Sequence, residues 1–149
     1  MFEALDAIVA KVNSSRVAIR LSPYGICLDQ KDSNPTATYS YILDKLNACN
    51  LAYLHLIEPR AYHSENPLTP PGGATHQFRG IYKGVLMTAS GYDRDSAVQV
   101  VEQGNADLVA MGRFFISNPD LVQRFRKNAP LTPWDIGWVK NMATRITRS

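Results

Sequence analysis

The sequence has few cysteines and histidines and no long apolar segment. Among its 149 residues are two cysteines, Cys27 and Cys49, and three histidines. The cysteine spacing fits neither a metal site nor a redox motif, so we interpret both as free thiols of a reducing compartment, which predicts a cytoplasmic protein. His63 and His76 have no ligand-type neighbours, and we expect no metal. No apolar run approaches the roughly 18 residues of a membrane-spanning helix, and no secretory signal is evident, so we expect no membrane partner.

The sequence also has little excess of charge of either sign. The formal net charge is +3, with 19% charged and 45% hydrophobic residues, which is an ordinary globular composition without the basicity of a nucleic-acid-binding protein. Several of the basic residues lie together near the C-terminus, at Lys140, Arg145 and Arg148, where a solvated end is the simpler interpretation. We therefore predict one domain with a sizeable core and a solvated basic C-terminal end.

The hydrophobic pattern alternates between strands and helices. A helix is predicted at the N-terminus, and strands are predicted over residues 17–23, 51–59, 84–90 and 106–112. Helices are predicted over 36–50, capped within DSNP, over 92–104, and over 117–128 with Ser117 or Asn118 as the cap. Residues 60–80 are predicted as a long loop. Apolar strands alternating with helices indicate an α/β fold with a parallel sheet.

A missing glycine motif separates two parallel architectures. A doubly wound sheet usually carries G-x-G-x-x-G after its first strand, and the segment VAIRLSPYG has a single glycine. A (β/α)₈ barrel instead binds phosphate at the ends of its last two strands. Here Ser90-Gly91 and Gly112-Arg113 follow the third and fourth strands, and an arginine at a strand end suits an anion. We therefore predict the C-terminal half of a TIM-type barrel, with about four strands.

Four segments then carry a specific resemblance. In order and spacing, VAIRLSPYG, LAYLHLIEPR, GVLMTASGYD and ADLVAMGRFFISNPDLVQRF resemble the C-terminal half of the Old Yellow Enzyme family, which includes 12-oxophytodienoate reductases and bacterial ene-reductases. The resemblance implies an FMN-dependent barrel, with NAD(P)H as reductant and the C=C bond of a small enone as the group reduced. It also implies that Ser90, Gly91, Gly112 and Arg113 bind the FMN phosphate.

The resemblance suggests roles for two further arginines. Arg20 lies inside an apolar strand, where a buried charge needs a partner. It would lie beside the pyrimidine edge of the flavin, with a structural ion pair as the alternative. Arg60 would contact the substrate or remain a solvated loop charge. Ser90 replaces a usual glycine, so it either strains the backbone or adds a hydroxyl donor, while His55 is interpreted as a satisfied core residue.

Other parts of the family pattern are missing. The substrate-binding His/Asn or His/His pair and the proton-donating Tyr would precede Met1, so no catalytic residue is assigned here. The resemblance covers about residues 1–135, which implies that this segment is the C-terminal half of the barrel. After APLTPWD the basic tail over residues 136–149 diverges from the family. Half a barrel leaves sheet edges and an interior face open, which a second copy or a missing N-terminal half would cover. The alternatives are a non-enzymatic flavin- or phosphate-binding half barrel and an inactive truncated relic.

Overall fold

The computed structural model describes residues 1–26, 32–60, 66–135 and 137. The chain divides into two compact units, Met1–Ala110 and Met111–Ser149. The helices and strands of the first unit are α1 (Phe2–Val9), β1 (Ala18–Leu21), α2 (Pro35–Leu46), β2 (Tyr53–Ile57), α3 (Gly73–Arg79), β3 (Leu86–Ala89), α4 (Arg94–Glu102) and β4 (Leu108–Ala110). Those of the second unit are α5 (Arg113–Ser117) and α6 (Leu121–Lys127).

The first unit contains a four-stranded parallel sheet. Its strands lie in the order β1-β2-β3-β4, each hydrogen-bonded to the next along the chain. The predicted α/β class and the predicted four parallel strands are therefore confirmed. Among the described residues, no helix is both long and apolar enough to cross a bilayer.

The two faces of the sheet differ in how far they are covered. On one face Leu54, Leu56 and Leu86 are fully buried and belong to a core cluster with apolar residues of α1, α2 and α3. The opposite face carries a register row that runs across all four strands, made of Arg20, His55, Met87 and Leu108. Arg20 and Leu108, the ends of this row, are exposed. We call this second surface the open face.

Local capping explains where α2 begins. The side chain of Asn34 accepts a hydrogen bond from the Ala37 amide at 3.1 Å, and Pro35 occupies the first turn, where its missing N–H costs nothing. The cap predicted within DSNP is confirmed.

Two predictions about helices are wrong. Residues 73–79, within the predicted long loop, form α3. The last helix starts at Leu121 behind Asp120, so neither Ser117 nor Asn118 caps it. The short helix α5 lies between the predicted strand and the predicted last helix and was not predicted. Cys27, His63 and most of the predicted tail (residue 136 and residues 138–149) lie outside the described residues.

The helix α3 depends on one buried carboxylate. Glu58, fully buried just after β2, accepts hydrogen bonds from the amides of Ala74 at 2.8 Å and Thr75 at 2.9 Å, and from the Thr75 hydroxyl. A carboxylate at a helix N-terminus satisfies otherwise unpaired amides. Gly73, at φ +84°, allows this approach, because a Cβ on it would collide with Glu58 Oε2.

We expect Gly73→Ala to lower the free energy of unfolding by about 2–4 kcal/mol, because it combines an unfavourable positive φ with a collision against the buried carboxylate. Gly80→Ala is the matched control. Gly80 has φ −65°, and among the described residues no heavy atom lies within 4 Å of the position that its Cβ would occupy, so alanine there should stabilise by about 0.5 kcal/mol. Urea unfolding followed by circular dichroism measures both, and equal effects would contradict the role given to Glu58.

Candidate functional site

The carboxyl end of β3 leads into a tight backbone turn. Residues 90–93 form what we call the β3–α4 turn, and its first two residues, Ser90 at φ +87° and Gly91 at φ +71°, are both in the left-handed region. Gly91 is needed there for a second reason, since an added Cβ would lie 3.0 Å from Arg60 Cβ. Successive backbone amides of a turn can form a concavity that binds an anion.

Ser90 combines the two properties that the sequence left as alternatives. Its positive φ costs a non-glycine residue about 1–2 kcal/mol. Its hydroxyl donates a hydrogen bond of 3.1 Å to the carbonyl oxygen of Arg60, which offsets part of that cost. The hydroxyl proton is therefore directed at the protein backbone.

The far end of the β3–α4 turn is held by a capping box. Asp93 accepts a hydrogen bond from the Ser96 amide at 2.9 Å, and the Asp93 amide donates to Ser96 Oγ at 3.0 Å. The side-chain hydrogen bond from Ser96 lowers the pKa of Asp93 below its ordinary value. Since Ala89 is paired in the sheet, the turn is fixed at both ends.

Arg60 packs against this turn. Its guanidinium lies over the ring of Tyr92, 4.7 Å from the ring centroid, within the range of a cation–π interaction. Tyr92 is buried, its hydroxyl pairs with Thr88 Oγ1 at 3.1 Å, and burial raises its pKa above the ordinary value. The contact with Tyr92 was not predictable from the sequence, because the two residues are far apart in the chain.

The second unit fixes the side chain of Arg113. Arg113 is the first residue of α5, and its guanidinium lies 5.4 Å from the ring centroid of Trp134. The segment that carries Trp134 is held by Asn118, which is 1% exposed. The Thr132 amide donates to Asn118 Oδ1 at 2.7 Å, and Asn118 Nδ2 donates to the Thr132 carbonyl at 3.0 Å. The sequence predicted Asn118 as a helix cap and gave Trp134 no role, and the asparagine just before Pro119 was the available signal.

Gly112 has no conformational reason to be glycine. Its φ of −82° and ψ of −62° suit any residue. Among the described residues, no heavy atom lies within 4 Å of the position that a Cβ would occupy. The space beside this backbone is therefore open.

Arg20 and His55 are neighbours on the open face. They are register partners in β1 and β2, and no ion pair found among the described residues involves Arg20. Burial, followed by the positive charge of Arg20, lowers the pKa of His55 below its ordinary value. His55 Nε2 is buried and has no hydrogen-bond partner in the described part of the chain, so the prediction of a satisfied core histidine is wrong.

The remaining candidate residues form no further centre. Cys49 is a free, half-buried thiol, and His76 lies in α3. Over the described ranges, no group of three His, Cys, Asp or Glu side chains is arranged to hold a metal ion.

Comparison with known proteins gives consistent matches. The model of the NADH:flavin oxidoreductase / NADH oxidase family matches residues 1–132. The chain is 43% identical over 134 residues to 12-oxophytodienoate reductase 1 of Oryza sativa subsp. japonica, covering 89% of this chain and 35% of that protein. It is 35% identical over 133 residues to 12-oxophytodienoate reductase 2 of Arabidopsis thaliana, with the same two coverages.

Solved structures give the same result for the fold. Morphinone reductase is similar with a TM-score of 0.82 at 36% identity, over 91% of this chain and 36% of that one. The old yellow enzyme from Trypanosoma cruzi is similar with a TM-score of 0.79 at 33% identity, over 88% and 33%. The four-stranded sheet is thus part of a TIM-type barrel, and the chain spans about a third of the length of these proteins. It belongs to the NADH:flavin oxidoreductase / NADH oxidase family, and its resemblance to Old Yellow Enzymes is confirmed.

Proposed function

We propose that the chain is the FMN-binding C-terminal part of an NAD(P)H-dependent ene-reductase that acts on small α,β-unsaturated carbonyl compounds. Family membership and the similarity to 12-oxophytodienoate reductases support this function. FMN, when bound, supplies hydride transfer between the nicotinamide and the alkene. Because the chain spans about a third of its relatives, the complete activity would belong to a larger assembly.

The β3–α4 turn is the observation that carries the proposal. It presents two successive left-handed residues, Ser90 and Gly91, at the carboxyl end of β3. In the sheet Ala89 is in register with Ala110, the last residue of β4, and Gly112 follows Ala110 by two positions in the sequence. Adjacent carboxyl ends of parallel strands are where barrels of this type bind phosphate.

The residues after β4 have the chemistry that a phosphate needs. The open space beside Gly112 would let a phosphate oxygen approach the backbone closely, which a side chain would prevent. Arg113, held against Trp134, offers a planar guanidinium able to make two parallel hydrogen bonds to one phosphate. We infer that the turn at residues 90–91 in the first unit, and Gly112 and Arg113 in the second, bind the FMN phosphate.

Arg20 is proposed to contact the flavin ring. It lies on the open face, exposed and outside the ion pairs found among the described residues, which supports a ligand more than the structural ion pair considered as the alternative. A fixed positive charge beside the pyrimidine edge would stabilise negative charge on a reduced flavin. The lowered pKa of His55 keeps its imidazole neutral near pH 7, so it would not compete with Arg20 for that charge.

Completion of the barrel is part of the same proposal. The exposed row end at Leu108 and the edge strands β1 and β4 need covering, by the N-terminal half of a longer reductase or by a second copy of this chain. None of the catalytic residues implied by the resemblance is assigned here, so a non-enzymatic flavin-binding unit is the second candidate. A cytoplasmic location stays a prediction, with which the free thiol of Cys49 is consistent.

We expect Arg113→Ala to weaken FMN binding at least about tenfold, through loss of a charge-assisted contact. Its affinity for riboflavin, which has no phosphate, should stay within about twofold of that of the parent chain. Arg113→Lys should be intermediate, since it keeps the charge without the planar fork. Arg126→Ala removes the same charge from an exposed position in α6 and is the control. Quenching of flavin fluorescence measures all the affinities. Unchanged FMN affinity in Arg113→Ala would contradict the phosphate assignment.

We expect the imidazole of His55 to titrate below its ordinary pKa, and Arg20→Gln to raise that pKa only part of the way, because burial is the larger cause. Because the pKa of His55 is lower in the folded state, its contribution to stability is complete at pH values above the ordinary histidine pKa. This contribution is lost as the pH falls from the ordinary pKa to the folded-state pKa. Proton NMR of the ring follows the titration. Arg16→Gln, in the turn before β1, is the control, and an unaltered pKa in Arg20→Gln would refute the coupling.

A further inference from the structure

The side chain of Arg60 turns toward the protein and lies along the β3–α4 turn. The atoms nearest to the position of an added Cβ on Gly91 all belong to Arg60: its Cβ at 3.0 Å, Cδ at 3.5 Å and Cγ at 3.8 Å. The aliphatic stem therefore covers Gly91. Beyond it the guanidinium lies over Tyr92, 4.7 Å from the ring centroid.

The backbone of Arg60 holds the same turn. Its carbonyl oxygen accepts the Ser90 hydroxyl at 3.1 Å, and its amide donates to the Glu58 carbonyl at 2.8 Å. The Glu58 amide in turn donates to the Ala89 carbonyl at 2.9 Å. Each of the first three residues of the turn, 90, 91 and 92, thus has its own contact with Arg60.

A turn of this kind needs such support. Ser90 has an unfavourable left-handed backbone, and a glycine such as Gly91 has the most conformational freedom to lose, so the conformation persists only if its surroundings determine it. Amides that bind an anion must also hold their direction before the anion arrives, because ordering them on binding reduces affinity.

We propose that Arg60 is a positioning residue for the β3–α4 turn, and that it holds the amides of Ser90 and Gly91 in the conformation that receives a phosphate. Its stem packs on Gly91, its carbonyl anchors Ser90, and its guanidinium is fixed on Tyr92. This role rests on the proposed FMN site. It differs from the substrate contact predicted from the sequence, in which the guanidinium would be directed at an enone.

Four variants separate positioning from direct contact. Arg60→Ala removes the stem beyond Cβ and the charge, whereas Arg60→Lys keeps a stem and a cation that can lie over Tyr92. Tyr92→Leu keeps the charge of Arg60 but removes the ring beneath it, and Tyr92→Phe keeps the ring. Arg126→Ala is again the charge-matched control. Circular dichroism establishes that each variant is folded before its affinities for FMN and riboflavin are measured.

We expect Arg60→Ala and Tyr92→Leu each to weaken FMN binding about tenfold, while the affinity for riboflavin stays within about twofold of that of the parent chain. The double variant should bind FMN little more weakly than either single variant. Arg60→Lys should weaken FMN binding less than Arg60→Ala, because it keeps a stem and a cation without the planar guanidinium. Tyr92→Phe and Arg126→Ala should bind FMN as tightly as the parent chain. Unchanged FMN affinity in Arg60→Ala overturns the proposal. A loss in Arg60→Ala without a loss in Tyr92→Leu also overturns it, since Arg60 would then act through its own charge on a phosphate or substrate.

Hydrogen exchange gives a second readout that needs no ligand. In the flavin-free chain, Arg60→Ala and Tyr92→Leu should accelerate exchange at the amides of residues 90–92, with the amides of β1 and α2 unaffected. Unaltered exchange at residues 90–92 would overturn the positioning role alone. If the parent chain binds FMN no more tightly than riboflavin, the proposed phosphate site itself fails, and the role of Arg60 fails with it.

Discussion

The buried carboxylate of Glu58 is the interaction on which the rest of the first unit depends. Its side chain binds the N-terminus of α3, and its amide donates to the last residue of β3, Ala89. Its carbonyl accepts the amide of Arg60, which lies against the β3–α4 turn. One residue therefore connects the core helix packing with the strand ends. A buried carboxylate needs such donors, because an ionised group without them is very costly to bury.

The strands and their parallel arrangement followed from the sequence because local pattern decides them. Apolar runs bounded by turn residues specify β1 to β4, and alternation with helices leaves a parallel sheet as the simple solution. The start of α2 was equally local, since Asn34 and Pro35 act within a single turn. These features need no knowledge of distant residues.

The misses share the opposite cause. α3 has only seven residues and takes its cap from Glu58, so no local periodicity reveals it. The hydroxyl of Ser90 bonds to a carbonyl thirty residues earlier, and that partner could not be read from the sequence. Asn118 resembled a helix cap in the sequence, yet its amide binds the backbone of Thr132. Family resemblance named residues of the candidate site, but the contacts that hold those residues came from tertiary structure.

The unpaired Nε2 of His55 has a consequence for the segment or ligand that closes the barrel. An unpaired buried polar atom costs about 1–3 kcal/mol, and a hydrogen bond from the group that covers the open face would remove that cost. A neutral imidazole carries one donor and one acceptor nitrogen, so the incoming segment or ligand should bring a complementary group to this point. Candidate partners can thus be distinguished by whether they bring a hydrogen-bonding group to His55 Nε2, independently of how well their shapes fit the open face.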